Sequence, residues 1–388
     1  MNKFNNIFGQ ILNLFPKSEF LELVRETNSA RSTKGFSCWD QFVAMMFCQI
    51  GRANSLREIC YGLSTYCGKI IHLGLKKAPS CSTLAYANEH RPWELYQQLF
   101  YRLMDRCRSV IGDKHKFRFK NRLLSFDSSL IGLCIEMFNW AKYRRAKGAI
   151  KLHLLLDHAG YLPQFAHLTA GRIHEVNVLR TLDFEPDTII AVDRGFLDFQ
   201  LFRHWIETGV YFVTRLKSNA AYEVVKNREV PIQRNILKDQ TIRLSGFYSK
   251  EKCPYELRLI EVWNDKRDES IILLTNNFQL GTTTISSIYK DRWQIELFFK
   301  ALKQNLRIKT FVGTSKNAVL IQIWTALIAM LILKYLKAKS KAKWSLSNLI
   351  AMLRYNLLTY RDLWEWIDNP YLVPPAELQV EQLSLLSS

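Results

Sequence analysis

An α/β fold is predicted for this chain, helical at the N-terminus, mixed in the middle and helical again towards the end. Three observations carry that expectation. Two short apolar runs, Leu123 to Phe126 and Thr188 to Val192, each end in an aspartate, and a small or turn-forming residue follows within two positions. Further β-branched or alternating runs occupy residues 210–214, 241–244, 255–262 and 270–275, separated by polar breaks. Helical patterning dominates residues 1–110 and resumes at residue 283.

In order, residues 1–110 form a helical unit. Trp39 to Ile50 is a helix, Gly51-Arg-Ala-Asn54 a turn, and Ser55-Leu-Arg-Glu58 a capping box that starts the next helix. Pro79-Ser80 opens a third helix, Cys81 to Arg91. Helix, short turn, helix is compatible with helix-turn-helix DNA binding, which makes Ser82, Thr83, Tyr86 and Arg91 candidate contacts. A helical packing unit without base contacts is the plain alternative.

Residues 118–215 are the first part of a mixed core, with strands near 122–127, 149–156, 161–168 and 188–193 and a helix near 175–184. Residues 216–280 are a β-rich insertion. Residues 281–365 return to the core and close it with helices, and 366–388 are a frayed tail.

The functional signal lies in Tyr289, Arg292, Glu296 and Lys303, spaced Y-x2-R-x3-E-x6-K. At roughly 100° per residue, the last three fall about 60°, 20° and 40° from Tyr289, on one side of a helix. Lys300 joins that stripe, while Ile295, Phe298, Phe299 and Leu302 take the other side. A solvated charged face would look the same. Asp127 and Asp193 change the reading, because an acid closing a buried strand is exposed at the sheet edge, where α/β sites sit. Strand acid, strand acid, helix acid suits two divalent cations, which take oxygen ligands and clamp the oxygens of an in-line displacement.

The formal charge is +19, from 54 Lys+Arg against 35 Asp+Glu, as expected for a phosphate-rich partner. Local concentrations occur at residues 114–122, where basic and aromatic residues alternate, at 142–147, and at Lys334, Lys337, Lys339, Lys341 and Lys343. None of the eight cysteines forms a C-x-x-C pair, so a zinc ribbon is not expected. No secretory signal opens the sequence, and free thiols in a reduced cytoplasm are expected. The stretch Ala318 to Leu333, interrupted by Gln322, falls short of the ~20 residues that span a bilayer and is expected to be a core helix. P-loop, dinucleotide-binding and nucleophile-elbow motifs are absent. Asp157 also ends an apolar strand but lies only about thirty residues from Asp127 with no D-x-G after it; Asp183, Asp187 and Asp198 are expected to be caps or surface acids, Asp291 falls off the cationic stripe, and His153 and His174 are expected to be structural.

Asp127, Asp193 and Glu296, with the Y-R-E-K helix and Gly195 soon after the second acid, resemble the DDE set of bacterial insertion-sequence transposases, specifically the IS-four group. The resemblance runs from about residue 5 to about residue 340. It implies an RNase H-like core, three strands in a meander with the fourth beside the first, and a β insertion in the long stretch before Glu296. It implies that the three carboxylates hold two Mg²⁺ ions, with Mn²⁺ able to substitute, and that Tyr289, Arg292, Lys300 and Lys303 hold DNA phosphates. It implies binding of double-stranded DNA, both terminal inverted repeats and target, by a homodimer without a membrane. Cleavage and strand transfer would proceed by cut-and-paste through a hairpin, for which Trp263 is a candidate stacking platform, a buried sheet tryptophan being the plainer reading. A silent DNA-binding regulator and an RNase H-like nuclease that never joins are the alternatives.

Overall fold

The computed structural model describes residues 5–30, 35–111, 116–134, 138, 140, 142–144, 147–231, 235–264 and 268–372. Its centre is a ten-stranded sheet. Strands β1 (Leu123–Leu133), β3 (Lys147–Asp157) and β4 (Leu162–Ala170) form an antiparallel meander, and β2 (Lys142–Arg144) pairs with the start of β3. Strand β5 (Ile189–Ala191) lies parallel beside β1, and β6 (Tyr211–Arg215) parallel beside β5. Two anticipated features, the meander and the fourth strand beside the first, are present.

The β-rich segment continues that sheet edge to edge. Strands β10 (Glu269–Thr275), β9 (Leu257–Asn264), β8 (Ile236–Leu244) and β7 (Tyr222–Asn227) follow β6 in that order, all antiparallel. Strand β7 is absent from the sequence expectations. It is a largely exposed edge strand without an apolar face, so alternation leaves no mark.

Helices cover both faces. On one side, α7 (Glu175–Leu179) and α8 (Phe199–Glu207) bury Val176, Val178, Leu201 and Phe202 against the even-numbered residues of β1 and β5. On the other, α10 (Thr282–Asp291) and α11 (Trp293–Asn305) cover the odd-numbered ones. Helix α12 (Lys316–Lys339) is long and apolar enough to cross a membrane, but 89% of its apolar window is buried inside the fold. It is the axis of a helical core containing residues of α1 (Ile7–Leu12), α2 (Lys17–Glu26), α3 (Cys38–Ile50), α4 (Leu56–Ser64), α5 (Cys81–His90), α6 (Glu94–Ile111), α13 (Leu346–Asn356) and α14 (Leu363–Asp368).

Gln322 breaks the apolar run of α12 for a reason visible in its partners. Its amide nitrogen donates to the Arg307 and Thr310 carbonyls, each at 2.8 Å, and its oxygen accepts from Val312 N at 2.9 Å. Gln49 of α3 completes the link: it accepts from Arg307 N at 2.8 Å and donates to the Gln322 carbonyl at 3.1 Å. Both side chains are fully buried. They satisfy the backbone of the turn leaving α11 and tie it to the N-terminal helices.

Several local expectations need correction. The first strand runs on past Asp127 to Leu133, because Ile131 and Leu133 alternate inward against the helical core. The helix expected at 175–184 stops at Leu179, and Thr181 Oγ1 binds the Val178 carbonyl at 2.7 Å. Ser55 caps α4, but Glu58 turns its carboxylate to Asn54 N at 2.8 Å, so the box closes one residue early. The signature helix is two helices, interrupted at Arg292. Lys334 leaves the basic surface cluster: its Nζ donates to the Tyr161 carbonyl at 2.7 Å and lies over the Phe298 ring, and burial lowers its pKa to about 8.

Gln322→Leu would strand three backbone groups in the core. A loss of about 2–4 kcal/mol in unfolding free energy is expected by chemical denaturation.

Candidate active site

The site begins as a row across three strands. Leu123 pairs with Ile189 and Ser125 with Ala191, so the same register carried two residues further sets Asp193 beside Asp127. Ala191 pairs with Val213, which sets Arg215 beside Asp193 in the same way. All three share the face of Leu123, Ile189 and Val213, the face covered by α10 and α11. Asp127 is therefore a mid-strand residue of β1. It reaches the sheet edge only because β5 ends at Ala191.

The helices supply the opposite wall. Tyr289 Oη donates to Asp193 Oδ1 at 3.2 Å. Arg292, 7% exposed, donates from Nη2 to Glu296 Oε1 at 2.8 Å and lies 5.6 Å from the Tyr289 ring centroid. Its Nε is buried without a partner. Lys303 Nζ donates to Ser129 Oγ at 2.6 Å, tying the far end of α11 to β1. Lys300 is exposed on the same helix. Tyr289 lies on α10 and Glu296 on α11, on either side of Arg292, whose own dihedrals are helical and whose N–H still bonds the Ile288 carbonyl at 3.1 Å.

The electrostatics are those of crowded, desolvated carboxylates. Burial pushes Asp127 up to about 6; the Ser128 N–H at 2.7 Å and Arg292 oppose that rise, while Glu296 and Asp193 add to it. Burial and the Asp193 charge push the Tyr289 hydroxyl up to about 12. Burial alone would lower Arg292, but its Glu296 bond, Tyr289 and Asp193 outweigh it and hold the guanidinium above its usual range. Burial and Lys309 lower Lys303.

Asp127, Asp193, Glu296, Tyr289, Arg292 and Lys303 are thus brought together. Behind Asp127, on the opposite face of β1, Ser128 Oγ donates to Glu175 Oε1 at 2.8 Å and Lys151 Nζ pairs with the same oxygen at 3.0 Å. Burial would raise Glu175, yet Lys151 and Ser128 hold it below the usual carboxylate range. Glu175, Arg215 and Trp293 are the neighbours that sequence reasoning missed. Arg215 carried a signal, since it closes the apolar run Tyr211-Phe-Val-Thr as Asp193 closes its own. Trp293 directly follows Arg292 and is 50% exposed.

The remaining candidates lie elsewhere. Ser82, Thr83 and Tyr86 are exposed on α5 and, with Thr27 to Ser29, Phe36 and His90, line a cavity of 720 Å³. Tyr86 stacks on His90 with ring centroids 4.0 Å apart. Arg91 also lines that cavity, but it is 9% exposed and its guanidinium is committed to the Ser37 carbonyl at 2.9 Å and to the Phe36 carbonyl. Trp263 is corrected too. Strand alternation turns it with Leu257 and Leu259 toward the α8 face, away from the acids. Asp157, the rejected rival for the second acid, is held by Arg122 at 2.8 Å, and Asp198 caps α8 as expected.

Among the described residues, no group of three His, Cys, Asp or Glu stands close enough to share one ion in this arrangement, Glu296 being paired with Arg292. The donor set nonetheless suits a hard divalent cation. It is all carboxylate oxygen, and Asp127 sits desolvated without an ion-pair partner of its own among the hydrogen bonds at the site.

A raised carboxyl pKa means that the folded state is penalised when Asp127 ionises. The penalty is absent below the unfolded value near 4 and grows as pH rises to the folded value of about 6. In metal-free buffer, Asp127→Asn is expected to raise stability by about 1–3 kcal/mol at pH 8 and to change it little below pH 4, read from paired thermal melts.

Comparison with known proteins gives the family. A transposase DDE domain model matches residues 118–332, and a domain of unknown function matches residues 3–76. A Sinorhizobium fredii protein named as a transposase, y4zB, is 30% identical over 262 residues, covering 66% of this chain and 71% of that protein. A Geobacillus stearothermophilus protein named as a transposase for insertion sequence element IS5377 is 25% identical over 268 residues, covering 69% of this chain and 70% of that one. A piggyBac transposase synaptic complex with hairpin DNA aligns at a TM-score of 0.42 and 12% identity, covering 96% of this chain and 81% of that one. With its RNase H-like sheet, its paired strand acids and a match to more than half its length, the chain belongs to the DDE transposase family.

Proposed function

We propose that this DNA transposase is of the IS-four type and moves an insertion sequence by cut-and-paste, with Asp127, Asp193 and Glu296 as its metal-binding carboxylates. The observation that carries the reading is the strand register: it sets two acids side by side at the end of a parallel pair, opposite a helix that presents the third. When bound by these carboxylates, two Mg²⁺ ions would supply an activated water and a counter-charge for the departing 3′ oxygen.

The chain's own residues do the rest. Tyr289 fixes one oxygen of Asp193, which leaves the other free to ligate. Arg292 now neutralises Glu296; a guanidinium released from that pair would offer its planar fork to a DNA phosphate. Lys300 and Lys303 line the next turn of α11, where a backbone entering over the sheet edge would pass. Lys303, already desolvated, offers a point charge, and Lys300 an exposed one. Ser82, Thr83 and Tyr86 at the α5 cavity are the proposed contacts to the terminal inverted repeats. If the second strand is cut through a hairpin, the half-exposed Trp293 is a better-placed platform for a displaced base than Trp263. Two chains would pair two ends, so a homodimer is the proposed active form.

The reading is tested on a labelled duplex carrying the element's own end. Wild type should nick it in Mg²⁺ or Mn²⁺, and Asp193→Ala or Glu296→Ala should lower the rate at least ~10³-fold while leaving end binding intact. Binding without any cutting would favour the silent regulator, and nicking without strand transfer the nuclease. For the phosphate contacts, Lys300→Ala should weaken binding to all DNA sequences alike and reduce the slope of log K against log salt by about 1.

A further inference from the structure

A buried chain of hydrogen bonds runs from the Asp127 strand to the break in the signature helix. Ser125 Oγ lies 2.6 Å from His158 Nε2, and His158 Nδ1 lies 2.6 Å from Asp291 Oδ2. Ser125 is fully buried, His158 4% exposed and Asp291 2% exposed. Asp291 also accepts from Lys116 Nζ at 2.5 Å and from Tyr161 Oη at 3.2 Å. Since a carboxylate only accepts, Nδ1 carries a proton, and Nε2 shares a hydrogen bond with the serine hydroxyl. The order Ser-His-Asp is that of a hydrolytic triad, but a serine with no exposed surface on a paired strand has no access to substrate.

Position along the chain gives the cluster a different use. Ser125 stands two residues before Asp127 on the same face of β1. Asp291 is the last residue of α10, directly before the break at Arg292. His158 directly follows β3 and bridges them. Two parts of the site that meet only through tertiary contacts, the strand acids and the Arg292–Glu296 turn, are therefore joined by one imidazole. Arg292 keeps helical dihedrals and its N–H bonds the Ile288 carbonyl at 3.1 Å, while Ile295 N bonds the Arg292 carbonyl at 3.2 Å in a tightened i−3 turn, and the Asp291 contacts anchor the chain at that junction.

We propose that His158 and Asp291 are positioning residues that hold the Arg292–Glu296 segment in register with Asp127 and Asp193. The proposal rests on the reading of those acids as the catalytic set. Its experiment combines two readouts so that the two ideas fail separately. Hydrogen exchange of the amides of residues 292–296 reports the anchor without any reaction, and end cleavage reports its consequence.

In His158→Ala, exchange across residues 292–296 should rise at least ~10-fold while the sheet stays protected. Cleavage should fall roughly 30- to 100-fold, with end binding unchanged within about threefold. His158→Asn keeps a donor toward Asp291 and should recover most of the rate. His158→Gln places its donor toward Ser125 and should not. Unchanged exchange in folded His158→Ala, equal recovery by Asn and Gln, or a rate loss that merely tracks the unfolded fraction would each overturn the proposal. If the wild type itself never cuts, the catalytic reading fails, and the exchange comparison alone decides the anchor.

Discussion

The parallel pairing of β1 with β5 is the constraint on which the site depends. Two strands joined by a crossover share one direction, so residues at equal distance past the last rung stand together. That rule places Asp127 and Asp193 beside one another although they are far apart in sequence. Everything else adapts to it. Strand β1 continues as half of a long antiparallel pair, β5 stops short, and the gap so opened exposes both acids toward α10 and α11. A one-residue slip of β5 would turn Asp193 off the face it shares with Asp127 and onto the apolar face packed by α7 and α8.

Crowding three carboxylates has an electrostatic cost, and the structure meets it locally. Arg292 pairs with Glu296, Tyr289 donates to Asp193, and the Ser128 amide donates to Asp127. Asp127 remains the least compensated, its pKa raised to about 6 by burial. Such a site is poised for added positive charge: a divalent cation would relieve the penalty that the protein leaves standing. The stored cost is tolerable because the surrounding fold is heavily over-determined, with α12 fully packed and Gln322 and Gln49 closing the turn after α11.

The three acids, the basic helix and the order of the core strands were legible in the sequence because each leaves a local trace. Asp193 ends an apolar run, Glu296 sits on an amphipathic face, and Asp127 precedes small residues. The illegible parts depend on register or on partners distant in sequence. Arg215 joins the acid row only through the β5–β6 ladder. The inward turn of Arg91 depends on carbonyls near residue 37, and the face that Trp263 takes depends on the pairing of β9 with β10. Edge strand β7 has no buried face to leave a pattern. His158 and Asp291 look like an ordinary turn histidine and a surface acid until the fold buries them against Ser125.

The central claim is that Asp127, Asp193 and Glu296 together hold the metal ions. The most direct test is anomalous scattering from Mn²⁺ in crystals of the protein bound to a cleaved element end. The account predicts Mn²⁺ density among Asp127, Asp193 and Glu296, with Glu296 released from Arg292. Mn²⁺ bound elsewhere, with the Arg292–Glu296 pair intact beside the DNA, would contradict it.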